Sequence, residues 1–285
     1  MKIRSVLISA ALSAAMLLTA CGSGEMTMKE LSEGAQVVSS DSSVGNMNDI
    51  TLTDGDLIAV FDIKGYGTIK AKLFPDIAPV GVDNFKQLCD SGYYDGLTIH
   101  RVIDGFMFQG GSVHGDGTGG NAMVNGGSFG IETDLEKARH FYGALCYANA
   151  MGVNTCQFYI VNNKEPQDIS EFNIAAYESY AAQFDEAAES YKDNAEAYDY
   201  YSFQADYYRT TVEAVNSISE SAKTKYAEVG GTPGLDGNYT VFGQVYDGFD
   251  VIDNISSVQV VGEENSPVKT IVINSVKVYT FSTAE

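Results

Sequence analysis

The chain has no tryptophan, and only five prolines, four cysteines and three histidines among its 285 residues. Too few prolines rules out a collagen-like or Pro-rich extended chain, and four cysteines cannot staple a scaffold of this length. His100, His114 and His140 are scattered and have no Cys/His set around them, so no metal site is expected. Positive charge is also scarce: 17 basic residues against 38 acidic ones give a net charge of −21. That balance argues against nucleic acid and anionic lipid as electrostatic partners. The chain is 45% hydrophobic, with 18 Tyr and 14 Phe. It is long enough for one large domain or two modest ones, either with a real core.

The N-terminus reads as an address. Lys2 and Arg4 precede Ser5 to Ala20, an uncharged run too short and too rich in small residues to span a membrane comfortably. Its end, Leu18-Thr19-Ala20-Cys21, looks like a bacterial lipobox. This implies a lipoprotein signal peptide over 1–20, cleavage before Cys21 and lipidation of its thiol, and so an extracytoplasmic protein anchored to a bacterial membrane. Residues 21–55 are rich in Ser, Gly, Met, Asp and Asn without sustained periodicity, and read as a flexible tether. Of the remaining cysteines, Cys89, Cys146 and Cys156, an odd number outside the cytoplasm cannot be fully paired. Three buried small apolar residues are the favoured reading, with a Cys146–Cys156 disulfide as the alternative.

From residue 56 onward the pattern is that of a β protein. Leu57–Ile63 and Thr68–Phe74 flank a Gly-containing turn, as in a hairpin. Pro79 suits the first turn of a helix carrying Val82, Phe85 and Leu88, and Gly92 suits its stop. Thr98–Gly111, Gly143–Val161, Thr240–Val245 and Thr270–Phe281 supply further strands around a Gly-rich loop over 110–130. Many short strands with few helices suggest a closed or nearly closed antiparallel barrel.

Residues 164–229 break this style. The 63 residues between Pro166 and Gly230 hold neither Gly nor Pro, and nine of the 18 tyrosines lie there. Tyr177, Tyr180, Phe184, Ala187, Tyr191 and Tyr198 follow helical three-four spacing. A helical hairpin or small bundle inserted into the barrel is expected, turning between Lys192 and Ser202. Its Tyr stripe is expected to pack between helices, the alternative being a face that contacts peptides.

The segments that carry chemistry are His100-Arg101-Val102-Ile103-Asp104-Gly105-Phe106-Met107-Phe108-Gln109-Gly110-Gly111, Ala148-Asn149-Ala150, Gln157-Phe158-Tyr159 and Leu235 to Val245. They offer one cation, several amides and an apolar cluster, with no nucleophile–base pair and no metal-ligand set. That combination suits a neutral, apolar group beside a polar backbone, as in a prolyl peptide. In order and spacing, the segments resemble the cyclophilin family of peptidyl-prolyl cis-trans isomerases over 57–163 and 231–281. The resemblance implies a closed eight-stranded antiparallel barrel capped by two helices, here with the helical insertion, and a catalyst of Xaa–Pro rotation that uses no cofactor. Its partners would be proline-containing polypeptides.

The same resemblance assigns roles. Arg101 would donate to the imide nitrogen, with Gln109 holding its guanidinium. The Asn149 backbone would bind the peptide beside the proline, and Gln157 would support the carbonyl side. Phe106, Met107, Tyr159 and Leu235 would line the proline pocket, with Ala148 and Ala150 beside the bound chain. Tyr239 stands where many members carry His, Gly234 where many carry Trp, and Tyr159 where Phe is common. Because the insertion enters between Asn163 and Leu235, it is expected to overhang the site. A non-catalytic reading is also open, in which the acidic, Tyr-rich insertion holds unfolded chains and the barrel is a scaffold. The esterase-like Gly126-Gly127-Ser128-Phe129-Gly130 and the run Gly115 to Gly120 lack the strand–turn–helix settings their chemistries require.

Overall fold

A computed structural model describes residues 26–37 and 50–283. Cys21 and the lipobox lie outside these residues. The described residues open with a short helix α1 (Met28–Ser32) and two short strands, β1 (Gln36–Val37) and β2 (Thr51–Leu52), which pair in parallel. The hairpin β3 (Leu57–Ile63) and β4 (Gly67–Leu73) leads to α2 (Pro79–Asp90). Then come β5 (Thr98–Ile103), β6 (Met107–Gly110), β7 (Ala144–Ala150) and β8 (Val153–Val161). The insertion contributes α3 (Ile174–Ser190), α4 (Ala195–Asn216) and α5 (Glu220–Val229). The chain returns through β9 (Val241–Asp247), α6 (Phe249–Ser256), the small hairpin β10 (Val260–Val261) and β11 (Ser266–Pro267), and β12 (Ile271–Thr280).

Eight strands close into an antiparallel barrel in the order β12-β3-β4-β9-β7-β8-β6-β5. Closure leaves no unpaired edge. The pleat decides which side chains fill it. On β8, Cys156, Phe158 and Ile160 point inward to join Phe61, Phe85, Phe108 and Phe242, while Tyr159 and Val161 point outward. Inside, aromatic rings meet at tilted angles, as Phe85 and Phe242 do with centroids 5.0 Å apart. Helix α2 plugs the barrel with Val82, Phe85 and Leu88. Its N-terminal amides are capped from a distant loop, where Glu132 accepts from Val80 N at 3.0 Å and Gly81 N at 2.8 Å.

Two expectations change. The segment 21–55 is not a tether where it is described: α1 has a capping box between Thr27 and Glu30, and Leu31 is fully buried. Tyr246 donates its hydroxyl to the Leu31 carbonyl at 2.6 Å, and the Lys70 ammonium donates to the Glu30 carbonyl. Composition suggested a loose chain, but one buried leucine and these carbonyl contacts tie α1 to the barrel wall. The disulfide is absent, and Cys146 and Cys156 are both free and buried. They sit on opposite faces of neighbouring strands: Cys146 is in register with Tyr159 and packs outside the barrel, while Cys156 packs inside. The helical hairpin turns at 191–194, at the near end of the stretch expected for it. Asn194 accepts from Ala197 N and so starts α4, which carries the polar residues beyond it as helix.

The Tyr stripe does pack between α3 and α4. Tyr177 meets Tyr208 with centroids 5.5 Å apart, Phe184 stacks on Tyr208 at 5.6 Å, and Tyr191 stacks on Tyr201 at 5.3 Å. Among the described residues no helix is long and apolar enough to cross a membrane.

Candidate active site

Strand register builds the site. Arg101 on β5 pairs with Gln109 on β6, and Gln109 pairs with Tyr159 on β8, so the three lie in one row across the outer face of the barrel. The β5–β6 turn passes through Gly105 at φ +68°, a conformation suited to glycine, and delivers Phe106 and Met107 beside that row. Beneath lies an apolar floor of Met107, Ala144, Cys146, Tyr159, Val161 and Val241. Arg101, Phe106, Met107, Gln109, Ala148, Asn149, Tyr159, Leu235 and Tyr239 enclose a cavity of about 140 Å³. Nine of the eleven expected catalytic and binding residues therefore converge. Gln157 stands behind Gln109, and Ala150 lies exposed beyond the rim. A larger groove of about 640 Å³ under the insertion, lined by Ile169, Phe172 and Lys223, shares no residue with this cavity.

One assigned role changes. Gln109 does not hold the guanidinium. Its Nε2 donates to Gln157 Oε1 at 3.0 Å, and Gln157 Nε2 donates to the Gly117 carbonyl at 2.8 Å. The two amides form a relay that fixes Gln109 against the Gly-rich loop. Arg101 has no hydrogen-bond or ion-pair partner among the described residues, and its charge acts on Tyr239 and His100 to either side. Its donors are thus free for a ligand. The Asn149 side chain is occupied in holding the rim: Nδ2 donates to the Asn238 carbonyl at 2.9 Å, and Oδ1 accepts from Gly152 N at 3.1 Å. That bracing leaves the backbone of Asn149 to meet a peptide.

The floor is dry. Tyr159 is 4% exposed, and burial pushes its hydroxyl well above the ordinary tyrosine range, with the Cys146 thiol beside it. Tyr239 is raised for the same reason, while Tyr207 and Arg101 pull the other way. Its ring meets Tyr159 edge-on at 5.9 Å and Tyr207 at 6.3 Å.

Tyr207 belongs to α4, and this contact shows what the insertion does. The insertion lines none of the cavity and packs behind the wall, and at the rim α4 borders the β7–β8 turn, where a Cβ on Gly152 would stand 3.5 Å from the Phe203 ring. Asn238 Nδ2 donates to the Tyr207 carbonyl at 3.0 Å and to Thr211 Oγ1 at 2.8 Å. A Cβ on Gly234 would come within 3.3 Å of the Tyr177 hydroxyl, so aromatic groups of the insertion fill the space beside that glycine. Below, Asp236 is completely buried. It accepts from Arg139 Nη1 at 2.8 Å, from Tyr226 Oη at 2.8 Å and from His140 N at 3.0 Å, and meets His140 Nδ1 at 2.9 Å. Burial alone would raise the Asp236 carboxyl, but the His140 hydrogen bond and the Arg139 and His140 charges outweigh it and hold it below the usual range. Arg139 also donates to the carbonyl ending α4 at Ala214. Nothing in the sequence marks Arg139, His140, Tyr226 and Asp236 as a set. They are up to 97 residues apart, and only the fold joins them.

Comparisons with known proteins identify the family. Residues 58–182 and 205–278 match the family model for the cyclophilin type peptidyl-prolyl cis-trans isomerases. The unmatched 183–204 form the far end of the α3–α4 hairpin. A Staphylococcus haemolyticus protein, assigned by name to the peptidyl-prolyl cis-trans isomerases, is 37% identical over 214 residues, covering 74% of this chain and 86% of the relative. A Staphylococcus aureus protein of the same designation is 36% identical over 215 residues, with 74% and 87% covered. The chain belongs to the cyclophilin-type peptidyl-prolyl cis-trans isomerase family. Among solved structures, a Cryptosporidium parvum cyclophilin-type isomerase, crystallised in the presence of the dipeptide Ala-Pro, shares the fold. Its TM-score is 0.51 at 21% identity, with 78% of this chain and 98% of that one covered.

Proposed function

We propose that this protein accelerates cis–trans rotation about Xaa–Pro bonds in exported polypeptides, held at a bacterial membrane by lipid on Cys21. The observation that carries the catalytic reading is Arg101, a guanidinium without a partner among the described residues at the mouth of an apolar cavity. The lipobox residues Leu18 to Cys21 support the anchor, and the export-type N-terminus supports the choice of client.

The barrier to rotation is about 18–20 kcal/mol because the C–N bond is partly double. Twisting the bond breaks the conjugation and returns a lone pair to the imide nitrogen. A donor placed there stabilises the twisted state more than the planar one, and only such differential stabilisation raises the rate. Met107, Phe106 and Tyr159 hold the pyrrolidine ring, the Asn149 backbone holds the preceding chain, and Arg101 donates to the nitrogen. No covalent bond forms or breaks. A buried, apolar floor strengthens the hydrogen bond, and each ~1.4 kcal/mol gained is about tenfold in rate.

Exchange spectroscopy on a prolyl tetrapeptide tests this. The wild type is expected to accelerate exchange, and Arg101→Ala to lose roughly a hundredfold or more, the usual cost of a donor aimed at a transition state. Equal rates would overturn the reading.

A second reading rests on the insertion. Tyr180, Tyr191, Tyr198 and Tyr200 remain 43–48% exposed on an acidic surface. This face would let the protein hold unfolded chains while its barrel turns their prolines.

A further inference from the structure

Arg101 and Gln109 line two cavities. Across them from the prolyl pocket lies a second hollow of about 290 Å³, walled by His100, the Gly115–Thr118 loop and the β10–β11 residues Glu264 and Ser266. A chain seated in the first pocket therefore has the second within reach of its next side chain.

The second hollow is a set of acceptors. His100 is 7% exposed and neither ring nitrogen has a hydrogen-bond partner; the Thr98 carbonyl is near the ring but outside hydrogen-bond geometry. Nε2 lies buried against Gly117, where an added Cβ would stand 3.7 Å away, so that a glycine backbone is all that covers it on this side. Burial lowers the His100 pKa, which keeps the ring neutral at neutral pH, with one nitrogen a lone-pair acceptor. A buried acceptor without a donor is a standing cost that a ligand's N–H relieves.

Two carboxylates stand at the mouth. Asp116 Oδ1 accepts from Thr118 N at 2.8 Å and Thr118 Oγ1 at 2.7 Å, which hold its pKa below the usual range. Glu264 stands opposite on the hairpin. Against these acceptors the lining has one cation, Arg101.

We propose that this hollow is a second substrate subsite, taking the cationic side chain of a lysine or arginine that flanks the prolyl bond. The inference rests on the isomerase reading of the neighbouring pocket. The chain's net charge of −21 draws basic segments toward the whole molecule. The hollow adds a fixed position, because an ammonium there meets the His100 nitrogen, Asp116 and Glu264 together.

The test uses the full-length protein in neutral detergent and fluorescein-labelled prolyl peptides that differ only beside the proline: Lys, norleucine or Glu. Affinity is read by anisotropy and turnover by exchange spectroscopy. Wild type is expected to bind the Lys peptide about three- to tenfold more tightly than the norleucine one, with Glu weakest. Glu264→Lys should reverse the order of the Lys and Glu peptides. Glu220→Lys makes the same charge change on the exposed start of α5 and should leave the order intact. Equal wild-type affinities for Lys and norleucine would overturn the subsite, as would an equal response to the two substitutions, which would trace the preference to overall charge. Failure of the isomerase reading shows separately, as no acceleration on any peptide, while the anisotropy order still decides the subsite.

Discussion

Asp236 and Arg139 meet at 2.8 Å with side chains 0% and 3% exposed, and this buried ion pair ties the insertion to the wall of the prolyl pocket. Asp236 directly follows Leu235, a pocket residue, and Arg139 reaches the last turn of α4. The insertion thus acts on the site through the fixed position of one loop.

Acid should loosen this joint. The Asp236 carboxyl is held below its ordinary value of 3.8 in the folded protein. A depressed carboxyl contributes stability above the unfolded pKa and loses it as pH falls through the folded one. Wild-type stability is therefore expected to fall on acidification below about pH 4. Asp236→Asn leaves Arg139 buried and uncompensated, at a cost of about 3–5 kcal/mol at neutral pH. It should also flatten the acid limb, and chemical denaturation at pH 7 and at pH 3.5 measures both. An unchanged acid limb in the variant would place the sensitivity elsewhere.

The amide relay makes a different prediction. Gln157→Leu removes both the hydrogen bond to Gln109 and the one to the Gly117 carbonyl, while keeping similar bulk. One net hydrogen bond is worth about 1 kcal/mol, so a fall of about fivefold in kcat/KM is expected. A merely structural role would lower the melting temperature and leave kcat/KM intact; a positioning role does the reverse.

What the sequence revealed and what it hid follow one physical line. Strands betray themselves by alternation and turns by glycine, so the barrel and its hairpins could be read locally. The run from His100 to Gly111 kept its motif, and register then placed Arg101 beside Gln109 without further help. Long-range partners left no such trace. The family resemblance implied that Gln109 holds Arg101, but Gln109 turns to Gln157, 48 residues on. Asp236 and Arg139 carry no local signal that sets them apart, and only the fold buries them together. The stretch 21–55 looked loose because one leucine, Leu31, is too weak a local signal to announce docking.

The insertion's two ends should behave differently. Its far end, 183–204, holds exposed tyrosines, whereas its base supplies Tyr207, Thr211 and Tyr226 to the pocket loop. Replacing 183–204 with a short linker is expected to leave peptide isomerisation within about threefold of wild type. Removing 166–229 strips Asp236 of Tyr226 and Arg139 of its α4 carbonyl, and should lower the melting temperature by roughly 10 °C or more. If the far end holds unfolded chains, its loss alone abolishes suppression of aggregation, measured by light scattering of a denatured client. Full retention of suppression would remove the second reading.

Gly234 offers the last test, because the space beside it is already taken. Its backbone is not in the left-handed region, so a side chain is barred by packing and not by conformation. The nearest atoms to an added Cβ are the Tyr177 hydroxyl at 3.3 Å and the Phe172 ring at 3.7 Å. Gly234→Ala asks its neighbours to give only a few tenths of an ångström and should be nearly silent. Gly234→Trp forces a large ring against Tyr177 and Phe172 and should cost about 1–3 kcal/mol by overpacking. Adding Tyr177→Ala opens that space, so the double variant is expected to recover part of the loss, a coupling that denaturant titration of all four proteins would measure. Strictly additive costs would mean that the insertion does not fill the space beside Gly234.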